Sequence, residues 1–88
     1  MKRYSWTYAG CEIFASDVWQ YMTRKKGAAA ADRCISPLTW WIFTGRATVE
    51  ECKLLVTKKP HVIGELLMAY EFRPHDMVID ALKKKIRE

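Results

Sequence analysis

Residues Ser36–Gly45 read SPLTWWIFTG, and the adjacent Trp40 and Trp41 decide how the chain is read. Serine caps the free amides of a helix, proline fits its first turn, where the missing N–H costs nothing, and glycine follows its end. Ser36, Pro37 and Gly45 therefore predict a short helix of about two turns. Neighbouring helical side chains point about 100° apart, so Trp40 and Trp41 cannot share one narrow stripe. Ile42 and Phe43 widen the apolar surface until it runs almost all round. Such a helix is either wrapped by its own domain or covered by another chain, and with 88 residues complete wrapping is hard. Both readings stay open: two indoles in the core or at its margin, or one of them at an oligomer or target interface.

The second half is regular. Thr48-Val49-Glu50-Glu51 is a capping box, in which hydroxyl and carboxylate satisfy two free amides ahead of Val49, Cys52, Leu55 and Val56. Pro60 ends that helix and opens another, with Val62, Ile63, Leu66, Leu67 and Tyr70 on a broad apolar face. Pro74 separates a last helix, on which Val78 or Ile79, Leu82 and Ile86 fall at helical spacing.

Toward the amino terminus, Ser16 suits the cap of DVWQYMTRKK, with Asp17 near the positive end of the helix dipole, Arg24, Lys25 and Lys26 near the negative end, and Gly27 as its stop. The alanine-rich AAAADRCI continues as a second short helix. Tyr4, Trp6 and Tyr8 alternate with polar residues at a strand's period of two. Ala9 and Gly10 then suit a turn, and Cys11–Phe14 is either a return strand or an irregular lead-in to the next helix. The expectation is a single domain over residues 1–88, mainly α, a compact bundle of about four to six short helices with room for a small N-terminal β-hairpin.

Composition narrows the class. Half of the residues are apolar and 28% charged, which is a folding composition rather than a disordered one. The start MKRYSWTYAG lacks the apolar run of a secretory signal, and no stretch approaches the roughly 20 apolar residues that span a bilayer. Cys11, Cys34 and Cys52 are odd in number and far apart, as buried thiols in a reducing compartment are, so the chain is read as cytoplasmic. No close-spaced pair joins His61 or His75 to the cysteines, so neither a metal nor another cofactor is expected. A Cys/His or His75-Asp76 arrangement has no supporting pattern, and no glycine-rich phosphate loop is present, so the chain is read as no enzyme.

The net charge of +5 leaves nucleic acid as an alternative partner. Lys83, Lys84, Lys85 and Arg87 are the candidate polyanion contacts, although cations at a helix carboxyl end also complement its dipole. A helix-turn-helix over Thr48–Lys59 and Pro60–Phe72 would present a mostly apolar second helix with two glutamates, a poor visitor to a major groove. The stronger expectation is a protein that binds protein, through Trp40, Trp41 and Phe43 with Trp6 and Tyr4, and that also self-associates.

In its size, its start MKRYSW, and its SPLTWWIFTG followed by TVEECKLL, the chain resembles small regulators encoded by temperate bacteriophages. Antirepressors, which bind a repressor protein and release it from DNA, are one such group. The likeness lies in overall character and carries over no individual residue. It implies an inhibitor that sequesters a DNA-binding repressor, with the apolar surface around Trp40 and Trp41 occupying the repressor.

Overall fold

The computed structural model describes residues 10–88 as five α-helices, with no strand among the described residues. They are α1 (Gly10–Lys26), α2 (Ala28–Phe43), α3 (Val49–Val56), α4 (Pro60–Ala69) and α5 (His75–Ile86). Helix α1 packs along α2 and α4 and touches α3, while α5 packs against α2, α3 and α4.

Helix α1 begins six residues before Ser16, so Ser16 lies inside it and caps nothing. Cys11, Phe14, Ala15, Val18 and Met22 recur at helical spacing and are all buried, and that stripe carries the helix back through Cys11–Phe14. Cys11–Phe14 is therefore helix and not a return strand. Tyr4, Trp6 and Tyr8, the other half of the expected hairpin, lie outside the described residues.

Gly27 joins α1 to α2 alone, at φ 90°, a left-handed conformation that favours glycine. Its N–H donates to the Thr23 carbonyl at 2.8 Å and its carbonyl accepts from Ala31 at 3.0 Å, so one residue serves the end of one helix and the start of the next. The two helices expected over 28–43 are one, with Pro37 in its interior. Proline there offers no N–H to the Arg33 carbonyl, which typically costs about 3 kcal/mol. Pro37 and Leu38 are both buried, and the alanine run ahead of them has the highest helix propensity, so packing and propensity offset that loss.

The capping box forms as read: Glu51 N–H donates to Thr48 Oγ1, and Thr48 N–H donates to Glu51 Oε1, both at 3.0 Å. The other carboxylate oxygen, Oε2, accepts from Arg87 at 3.3 Å, which ties the start of α3 to the end of α5. Pro60 occupies the first turn of α4. Gly64 lets α4 approach α1, because a Cβ there would stand 2.7 Å from the Tyr21 ring.

One core runs through all five helices, from Met22 and Val18 through Leu38, Trp41 and Ile42 to Leu55, Ile63, Leu67, Leu82 and Ile86. All three cysteines are buried free thiols. Burial, with the neighbouring Cys52 thiol, pushes Cys11 from an ordinary 9.0 up to about 12, and burial raises Cys34 as well. A raised thiol pKa means that the unfolded chain releases its proton first, so the thiols' contribution is intact below pH 9.0 and declines as pH rises toward 12. Urea unfolding measured from pH 8 to pH 11 is expected to show stability falling above about pH 9, with a shallower fall in Cys11→Ala. Equal slopes in the two proteins would refute the assignment.

Candidate functional site

The rotation along α2 divides the tryptophan pair. Trp41 is 1% exposed and sits in the core, whereas Trp40 is 37% exposed. Phe43 is half-buried and lines a different groove, between α1 and α2, with Ala15, Trp19, Ile35 and Thr39. The expected partner-binding residues of α2 thus point in three directions, and Trp40 alone heads the exposed aromatic surface beside α5. Trp6 and Tyr4 lie outside the described residues.

The end of α2 determines what covers Trp40. Gly45 turns the chain at φ 80°, and Ala47 N–H donates to the Trp41 carbonyl at 3.1 Å. That turn brings the Arg46 guanidinium over the Trp40 ring, 4.3 Å from its centroid, a cation–π contact. The His75 ring, at the start of α5, lies 5.7 Å from the same indole at a tilt of 47°. A groove of about 300 Å³ beside Trp40 is lined also by Asp76, Ile79, Asp80 and Lys83.

His75 borders a second groove, of about 400 Å³, between α2 and the turn joining α4 to α5. Arg33, Ser36, Pro37, Tyr70 and Phe72 form its walls, and buried Cys34 lies at its margin. Residues 72–77, FRPHDM, are exposed without a break. Phe72 is the extreme case, 83% exposed and at φ 71°. It occupies the third position of a turn closed by Arg73 N–H donating to the Tyr70 carbonyl at 3.0 Å, a position at which positive φ favours glycine. A left-handed conformation costs a residue with a Cβ about 1–2 kcal/mol. Phe72 returns little for that cost, since its ring meets the Arg33 guanidinium only at 5.4 Å.

The charges around this face are unequal. Glu71 accepts both Nε and Nη2 of Arg33, at 3.0 and 2.8 Å, with Lys26 Nζ 3.9 Å from its other oxygen. Arg46 is stacked on Trp40, and Arg73 donates to Met77 Sδ at 3.7 Å; among the described residues neither guanidinium forms an ion pair with a carboxylate. The expected polyanion contacts are differently placed. Arg87 pairs with Glu51 and Lys85 with Glu88, Lys83 is half-buried beside Asp76 and Asp80, and Lys84 is exposed. The basic end of α5 therefore serves largely to hold α5 on α3 and to close its own last turn.

Helix α4 buries Ile63, Gly64 and Leu67, and its exposed Glu65 carboxylate accepts from the Tyr21 hydroxyl, a bond that raises the Tyr21 pKa. As the second helix of a helix-turn-helix it would offer a groove mainly His61, Glu65 and Ala69. Ser36 Oγ lies 3.5 Å from His75 Nε2, the spacing of a loose nucleophile–base pair. Asp76 Oδ1 accepts the Met77 N–H at 2.8 Å, and Ser36 lies within α2, whose amides are engaged along the helix. Among the described residues no group of three or more His, Cys, Asp or Glu is placed to hold a metal ion, and no helix is long and apolar enough to cross a membrane.

No protein-family model matches the chain, and no curated protein or solved structure shows significant similarity to it.

Phe72, Arg73, Met77 and Arg46 were not among the residues singled out from sequence. One signal pointed to Phe72: it stands between Tyr70, the last member of an apolar helical face, and Pro74, which disfavours helix at Arg73, so it has no periodic partner. Phe72→Gly removes the left-handed strain and is expected to leave stability unchanged or raise it by up to about 1 kcal/mol in thermal unfolding. A clear loss of stability would show that the Phe72 ring packs.

Proposed function

We propose that the chain is a small, non-catalytic regulator that acts by binding another protein through the face built from Trp40, Arg46, Phe72, Arg73, His75 and Met77. The observation that carries this reading is Trp40 itself. Its neighbour fills the core, while Trp40 lies across the surface under an arginine, and tryptophan and arginine are the residues most often found as binding hot spots. Phe72 extends the exposed apolar area on the α4–α5 side of His75, and exposed Met77 lies against the neighbouring Arg73.

The resemblance to phage antirepressors gives this reading its most concrete form. A cytoplasmic inhibitor would seat the aromatic face on a DNA-binding repressor and favour the state of the repressor that is off DNA. Self-association, if it accompanies this, has separate apolar material in Ile13 and Val49, exposed near the starts of α1 and α3. Direct nucleic-acid binding has less support, because the cations expected to make it are largely paired within the chain or face carboxylates.

The test is capture from bacterial lysate with the tagged protein, with and without nuclease. A near-stoichiometric protein is expected to stay bound after nuclease and to lose about 2 kcal/mol of affinity, roughly thirtyfold, with Trp40→Ala, whose fold persists. Release of all bound material by nuclease would contradict the proposal.

A further inference from the structure

Resting on that reading, we infer the chemistry of the partner: the α2/α4–α5 face takes an acidic segment of a protein, laying an apolar side chain against Phe72 and Trp40 and setting carboxylates on Arg46 and Arg73.

Three observations lead there. The first is the turn at Phe72. A phenylalanine 83% exposed at φ 71° adds strain while leaving most of its ring bare, and the distant Arg33 guanidinium, 5.4 Å from the ring centroid, offsets little of it. A ligand that covers the ring does offset it. The second is the state of the cations. Two other arginines are held by carboxylates, Arg33 at the wall of the second groove by Glu71 and Arg87 by Glu51. On this face Arg46 rests on the Trp40 ring and Arg73 on Met77 sulfur, so both guanidiniums are held in place by soft, uncharged groups and keep donors for an incoming carboxylate.

The third observation selects the class of partner. Asp32, Glu71, Asp76 and Asp80 line the same two grooves. A nucleic-acid strand carries a phosphate at every nucleotide and would set charge against those carboxylates, whereas a peptide can place one or two carboxylates where the guanidiniums are and neutral residues between them. His75 lies between the grooves, against Trp40 on one side and within reach of Ser36 on the other, so a single extended or helical segment can run from Arg46 to Arg73 across it.

A displayed library of random twelve-residue peptides, selected on the full-length protein, tests this. Enriched peptides are expected to carry excess Asp and Glu beside Leu, Phe or Trp. Their affinity should fall at least tenfold with Arg46→Gln, with Arg73→Gln and with Phe72→Gly, and stay within twofold with Lys84→Gln. Because Phe72→Gly relieves backbone strain, its melting temperature should not fall, which separates a binding role from a structural one. Neutral or basic enriched peptides, or acidic ones indifferent to Arg46 and Arg73, would overturn the inference while leaving the proposed surface intact if Trp40→Ala still abolishes their binding. Peptides indifferent to Trp40→Ala would overturn the surface as well. A library yielding no binder, or a twelve-nucleotide oligothymidylate that binds and responds to the same three substitutions, would also rule out the acidic segment.

Discussion

Consecutive side chains on an α-helix are separated by about 100°, and in α2 that rotation assigns two adjacent tryptophans to opposite tasks. Trp41 turns inward and joins Leu38 and Ile42 in the core shared by all five helices. Trp40 then has no inward position left. The carbonyls of the two residues also organise the turn beyond the helix, since Thr44 N–H bonds back to Trp40 and Ala47 N–H to Trp41, which returns Arg46 across the exposed indole. Core and surface are thus two consequences of one helix register.

That register depends on α2 remaining a single helix. With Pro37 as its first turn, the segment would have been short and free to reorient about the preceding residues. As an interior residue, buried beside Leu38, Pro37 instead links the alanine-rich half to the aromatic half. Arg33, Ser36, Pro37 and Trp40 succeed one another at helical spacing, and together with the α4–α5 turn they border the grooves proposed to receive a partner. An interior proline ordinarily weakens a helix, and here tertiary burial outweighs local preference.

The features legible in the sequence divide along the same line between local and tertiary control. The Thr48–Glu51 box, Pro60 at the start of α4 and Gly27 at the end of α1 are local devices whose geometry depends on neighbouring residues alone, and each stands where its pattern placed it. Ser16 and Ser36 carry equally good capping chemistry, yet both lie inside helices, because buried stripes through Cys11, Phe14 and Val18 and through Ala31, Cys34 and Leu38 extend past them. Only contacts with other helices show that those stripes are buried. The mainly helical fold was legible from periodicity. Of the candidate site, Trp40 was legible as one of a pair, but which indole faced out was not. The missing periodic partner of Phe72 was legible, but its left-handed φ was not, because that conformation comes from the meeting of two helices and not from the preference of phenylalanine.

Trp40 and Trp41 therefore stand unequally in the fold, and the most direct measurement is the unfolding free energy of Trp40→Ala and Trp41→Ala side by side in urea. Removing the buried indole should cost about 3–5 kcal/mol, whereas removing Trp40, which keeps 37% of its surface exposed, should cost clearly less, about 1–2 kcal/mol. Equal losses, or the larger loss in Trp40→Ala, would contradict the assignment of one tryptophan to the core and the other to the surface.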